Sequence, residues 1–116
     1  MGEQNCLFCK IIAGEIPSNK VYEDDSVFAF YDITPQAPEH ILIIPKKHIS
    51  GVDQIEAEDS ETISAVMYAA KKIAQEKKVR DGSYRIVFNN GPLAGQAVLH
   101  LHAHLLAGRP MKWPPG

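Results

Sequence analysis

In the segment AVLHLHAHLLAG, residues 97–108, His100, His102 and His104 occupy every second position of an otherwise apolar run, taking three of the chain's five histidines. Such alternation reads as a β-strand, in which successive side chains point to opposite faces. The three imidazoles then share one face, and Leu99, Leu101, Ala103 and Leu105 share the other. Neighbours in the row stand roughly 6.6 Å apart at roughly 3.3 Å per residue, too far for all three to attack one atom but close enough to surround a phosphate. A single histidine on a strand is usually structural, whereas three on one face favour chemistry. Two chemistries fit. The imidazoles could hold a catalytic metal with an open position, or one neutral imidazole could act as nucleophile while its neighbours bind and protonate a phosphate.

A second constellation is Cys6-Leu7-Phe8-Cys9. Thioredoxin-like redox chemistry would place such a pair after a strand in a βαβ unit, a context missing here, and two simply buried cysteines are the bland alternative. Metal binding is the better functional reading, since tetrahedral zinc takes thiolate sulfur and imidazole nitrogen. With only two cysteines, the chain has no disulfide framework, and a reducing compartment is expected.

These residues need elements to position them. Cys6–Ala13 reads as a short helix closed by Gly14 and broken by Pro17. KVYE and VFAFYD read as two strands of a hairpin around Asp24-Asp25-Ser26, and HILIIP, residues 40–45, as a nearly continuous apolar third strand. From Ala57 to Lys78, Ile63, Val66, Met67, Ala70, Ile73 and Ala74 recur at helical spacing, with acidic residues early and lysines late, which predicts one long amphipathic helix. SYRIVFNN is a fourth strand, NNGPLAGQ a loop, and the histidine run the fifth strand. Strands gathered around two helices without βαβ alternation predict an α+β fold with a five-stranded, mainly antiparallel sheet. At 116 residues and 45% hydrophobic content, one domain over 1–116 with one core is expected, 109–116 forming an extended tail. A net charge of −2 and a longest basic cluster of Lys46-Lys47-His48 exclude a groove for a nucleic-acid polymer, though a single phosphate fits. No stretch approaches a membrane span and the N-terminus lacks a leader pattern, so a cytoplasmic protein is expected.

HLHAHLL fits the His-φ-His-φ-His-φ-φ pattern of the histidine triad superfamily. CKIIAGEIPS, AFYDITPQAPEHILIIPKKHIS, AGQAVLHLHAHLLAGR and the terminal WPPG resemble its Hint branch, the purine nucleoside phosphoramidases, in order and spacing. The resemblance implies a homodimer of α+β protomers with the sheet extended across the interface. It also implies hydrolysis of the P–N bond of adenosine 5′-phosphoramidates and related nucleotidyl compounds, releasing AMP or GMP and an amine.

Carried over residue by residue, the resemblance makes His102 the nucleophile, His104 a phosphate ligand, and His40 the upstream histidine completing the catalytic cluster. An imidazole suits the first role because it can be neutral near pH 7 and forms a P–N bond that water can break. Phe8, Phe30, Ile33 and Leu42 match the purine pocket, where core packing is an equally good account of each. Asp32 matches the ribose ligand, with a turn-forming aspartate before Thr34-Pro35 as the competing role. Asn89, Gly95, Gln96 and Ala97 match the phosphate loop, in which glycine lets backbone N–H groups approach oxygens. Cys6, Cys9, His48 and His100 match a structural zinc set found in several bacterial members, tying the N-terminal helix to the sheet. No catalytic cofactor is implied.

One departure stands out: many Hint proteins carry serine after the Gly-Gln pair, and this chain has Ala97, which implies a weakened or retuned leaving-group contact. Alternatives to the phosphoramidase are a dinucleoside polyphosphate hydrolase, disfavoured by the WPPG terminus, and a zinc-stabilised purine nucleotide-binding module with little turnover.

Overall fold

A computed structural model describes residues 5–116; the first four residues of the expected domain lie outside it. Helix α1 (Leu7–Ile12) is followed by strands β1 (Lys20–Glu23), β2 (Val27–Tyr31) and β3 (Glu39–Pro45). The long helix α2 (Ser60–Glu76) comes next, and β4 (Tyr84–Phe88) and β5 (Ala103–Ala107) complete the chain's regular elements. The strands form one antiparallel sheet in the order β1-β2-β3-β5-β4, as the α+β reading requires.

Local chemistry accounts for the element boundaries. Asp24 closes the β1–β2 hairpin by accepting from the Ser26 and Val27 amides at 2.8 and 2.9 Å. The Cys6 thiol caps α1 by accepting from the Cys9 amide at 3.2 Å, and Gly14, at φ +81, carries the chain away from its end. A reciprocal capping box of Glu56 and Asp59 starts the helical region in a 3-10 turn at Ala57–Asp59, where the buried Asp59 carboxylate pairs with Lys47. The helix expected over 57–78 is therefore α-helical only between Ser60 and Glu76.

Strand alternation divides the apolar side chains between two faces. Val27, Ala29, Ile41, Ile43, Ala103 and Leu105 pack against Val66, Ala69, Ala70 and Ile73 of α2. Phe28, Phe30, Leu42 and Ile44 pack on the other face against Cys6, Phe8, Cys9 and Ile11 of α1. The histidines lie on this second face. Among the described residues, no helix is long and apolar enough to cross a membrane.

The histidine run departs from expectation. Only Ala103–Ala107 is strand, so His100 and His102 precede the strand rather than belong to it, and Leu99 is 68% exposed instead of sharing the apolar face. The register explains the early end. Ile43 pairs with Ala103, so continuing the ladder would set Pro45 opposite Leu101. Proline has no amide to donate. Its carbonyl is taken instead by the His100 ring at 2.8 Å, and the Leu101 amide turns to Ile49 O. Leu101 nonetheless stays buried with Ala103 and Leu105, so the alternation of faces survives across the bend.

Candidate functional site

The three histidines lie in one continuous group. Phe8 of α1 presents an edge-on contact to His100 and to His102, with ring centroids 5.9 and 5.1 Å apart, and His102 lies 5.1 Å from His104. His40, at the start of β3, joins the far end, 5.2 Å from His104. His40, His100 and His102 are buried and His104 is half-buried.

Hydrogen bonds assign the protons. The His102 Nδ1 lies 2.7 Å from the carbonyl oxygen of His100. A carbonyl only accepts, so this nitrogen carries the hydrogen, and in the neutral ring Nε2 is left with a lone pair. His40 is fixed the other way: its Nδ1 accepts from the Gln36 amide at 3.0 Å, so Nε2 carries the hydrogen and donates to His104 Nδ1 at 2.9 Å. His104 therefore keeps its own hydrogen on Nε2. Adjacent members of the row thus carry opposite tautomers, one offering a nucleophilic lone pair and the next a donor.

Burial favours the neutral form of His40, His100 and His104. Desolvation, with smaller contributions from His102 and His40, pushes the His104 pKa down to about 4 against the opposing pull of Asp32. His40 is lowered by the same burial, again opposed by Asp32. Desolvation also pushes His100 down to about 4; the bond to Pro45 O acts in the opposite direction, and the neighbouring His48 and His102 add to the lowering.

Cys6, Cys9, His48 and His100 converge at the other end of the row, each offering one ligand atom within 4.8 Å of the others. The His100 Nδ1 lies 3.2 Å from Cys6 Sγ, 3.5 Å from Cys9 Sγ and 3.2 Å from His48 Nδ1, while Cys9 Sγ lies 3.4 Å from His48 Nδ1. A tetrahedron with Zn–S of about 2.3 Å and Zn–N of about 2.0–2.1 Å has edges of about 3.6 Å for S···N and about 3.3 Å for N···N, so the donor set fits zinc. The Pro45 carbonyl fixes the hydrogen of His100 on Nε2, which leaves Nδ1 free to ligate. Asp32, His40 and His104 also lie close enough to suggest a metal. There the hydrogen-bond pattern argues otherwise, because His40 Nε2 spends its hydrogen on His104 and has no lone pair to give.

The expected nucleotide residues are brought together unevenly. Phe8, Phe30 and Leu42 are buried in the α1 face. Asp32 holds its turn, accepting from the Thr34 amide at 2.7 Å with Oδ1, while Oδ2 lies 3.5 Å from His40 Nε2. Ile33 beside it is 96% exposed, outside any packed pocket. Asn89 follows β4, half-buried, and Gly95 takes a left-handed φ of +88 in the loop beyond it. The Gln96 side chain works within the protein: it donates to Ser50 O and Val98 O and accepts from the Gly91 amide, stitching this loop to the segment after His48. Ala97 is exposed beside a cleft of about 540 Å³ that Cys6, Leu7, His48 and Ser50 also line. Sequence reasoning missed the Gln36 amide and the Pro45 carbonyl, main-chain groups that carry no residue-type signal in a sequence.

Residues 13–111 match the HIT domain family. The chain belongs to that family. Among HIT relatives, a 14 kDa zinc-binding protein of Zea mays is 51% identical over 112 residues, 95% of this chain and 87% of the maize protein. The Arabidopsis thaliana adenylylsulfatase HINT1 is 47% identical over 95% of this chain and 76% of its own length. A HIT family hydrolase from Legionella pneumophila Philadelphia 1 superposes with a TM-score of 0.94 at 53% identity, covering 97% of this chain and all of that one. A histidine triad protein from Clostridium difficile gives 0.92 at 46% identity, over 97% of each chain. The chain thus shares the fold of HIT hydrolases along nearly its whole length, and its Cys/His quartet is a set that could hold the metal named in its plant relatives.

Proposed function

We propose that this protein hydrolyses nucleotidyl phosphoramidates through a covalent intermediate on His102, releasing AMP or GMP and an amine. The observation that carries the reading is the pair of opposite tautomers on His102 and His104. His102 Nε2 attacks the α-phosphorus, the P–N bond breaks, and the amine leaves with a proton taken from solvent, which the hydrolysing water later returns. His104 Nε2–H donates to a phosphoryl oxygen as charge develops there. Water then attacks the phosphorus of the nucleotidyl-histidine, giving the nucleotide and restoring the neutral ring. Phe8, Phe30 and Leu42 offer an apolar wall for a purine, and Asp32 retains acceptor capacity for ribose hydroxyls. After the Gly95-Gln96 pair, Ala97 offers the leaving amine a methyl group where a serine would offer a hydroxyl.

Zinc held by Cys6, Cys9, His48 and His100 would be structural, stapling α1 to the segments after β3 and before β5. It leaves the chemistry to His102. Strand β4 ends the sheet with a free edge, which supports a homodimer with a continuous sheet. A chain with only two cysteines, too few for a disulfide framework, suits a reducing, cytoplasmic setting.

The deciding experiment is rapid quenching during turnover of an AMP phosphoramidate, followed by peptide mapping. An acid-labile nucleotidyl group should appear on the peptide containing His102 and be absent from His102→Asn, whose turnover should fall by orders of magnitude while AMP binding survives. Near wild-type hydrolysis by that variant would overturn the assignment. So would loss of activity on chelation in protein that stays folded, which would point to a catalytic metal.

A further inference from the structure

The loop between β2 and β3, residues 32–38, carries the Gln36 amide that sets the His40 tautomer. Its neck is closed by the Asp32 amide donating to His40 O at 3.0 Å, and its tip is braced from within by Asp32 and Thr34. Two contacts reach it from the other end of the chain. The Arg109 Nε donates to Gln36 O at 3.0 Å, while its Nη1 donates to Pro110 O at 3.0 Å. Next to it, Gly108 sits so close to Pro38 that a Cβ at Gly108 would meet Pro38 Cβ at 2.8 Å, and its φ of +100 is a conformation that favours glycine. The chain after β5 therefore lies on the loop and holds it by a carbonyl belonging to the same residue whose amide bonds His40.

We infer that Arg109 is a positioning residue for the catalytic row: it holds Gln36 so that its amide keeps His40 Nδ1 unprotonated, and through His40 it sets which nitrogen of His104 donates. The inference builds on the role proposed above for His104. The path is a sequence of three contacts, Arg109 to Gln36 O, Gln36 N to His40 Nδ1, and His40 Nε2 to His104 Nδ1, which together leave the hydrogen of His104 on Nε2. A planar guanidinium can donate along two fixed directions at once, here to the loop and to the start of the tail. A lysine at this position would keep the charge and lose the fork.

Arg109→Lys and Arg109→Ala separate position from charge. If Arg109 acts by position, both should lower kcat for an AMP phosphoramidate about tenfold with KM changed less than about twofold, the pattern of an interaction expressed in the transition state. Restoration of kcat by lysine would overturn the inference in favour of simple charge attraction. In the His40→Ala background, Arg109→Lys should cost nothing further, because the path is already cut; an additive loss would refute the path. A readout independent of turnover is nitrogen NMR of protein labelled at histidine. His40 Nδ1 should titrate as an unprotonated acceptor in the wild type and give a mixed-tautomer signal in Arg109→Lys. An unchanged His40 signal would sink the inference even if the enzyme proved active, and a changed signal would sustain it even if the phosphoramidase assignment failed.

Discussion

Acid should expose how His104 is held. Its pKa is about 4 in the folded protein against an ordinary 6.5, with burial as the main cause. For a base whose folded pKa is depressed, the unfolded chain binds more protons between those two values, so stability is intact above pH 6.5 and falls as pH drops toward 4. Taking 6.5 and 4 as the two pKa values, the loss between pH 7 and pH 5 is about 2 kcal/mol from this group alone. The perturbation is His104→Asn, which keeps a polar side chain and removes the titration. Urea unfolding followed by far-UV circular dichroism, at one protein concentration and with zinc present, gives the stability of both proteins at both pH values. Protonation of His40 and His100 weakens both proteins and largely cancels in the comparison. The wild type should lose about 2 kcal/mol more than the variant on moving from pH 7 to pH 5. Equal losses would show that His104 is not kept neutral by the fold, and the assignment of its Nδ1 as the acceptor from His40 would fall with it.

Protein purified without chelator should carry about one zinc per chain by elemental analysis, as a closed four-ligand site implies, and the Cys6→Ser/Cys9→Ser protein should carry none. Stoichiometric zinc in that double variant would overturn the ligand set, while chelation of the wild type should lower thermal stability more than activity. Removing Trp113–Gly116, a tail whose tryptophan is 83% exposed, should change the preference for the leaving amine and leave a dimer by light scattering. A monomeric full-length chain would refute the dimer.

Much of this molecule is legible from side-chain pattern, because burial selects residue types at regular periods. VFAFY and HILIIP read as strands from their residue types, and their odd and even positions feed two separate cores. The resemblance to the histidine triad family joined Cys6 and Cys9 to His48 and His100, four residues distant in sequence that the fold brings together. The bend at 97–102 was not. It arises from Pro45 lying across the sheet from Leu101, a long-range pairing that alternation within the histidine run cannot reveal. The tautomers were equally hidden, because they are set by the main chain of His100 and Gln36. Ile33 illustrates a third limit: the resemblance matches it to a purine pocket, and it stands on an exposed loop where local pattern says nothing about what covers it.

His100 belongs to two sites at once, by different parts of the residue. Its ring faces the cysteines and the Pro45 carbonyl, whereas its own carbonyl oxygen holds the hydrogen of His102. Every amino acid has a carbonyl, so the second duty does not depend on the first. A descendant of this chain could exchange His100, Cys6 or Cys9 for other residues, lose the set that could hold a metal, and still inherit His102 with its Nε2 lone pair in place, provided packing kept the bend. The proposed staple and the proposed reaction centre are thus free to drift apart over generations, even though they meet in a single residue.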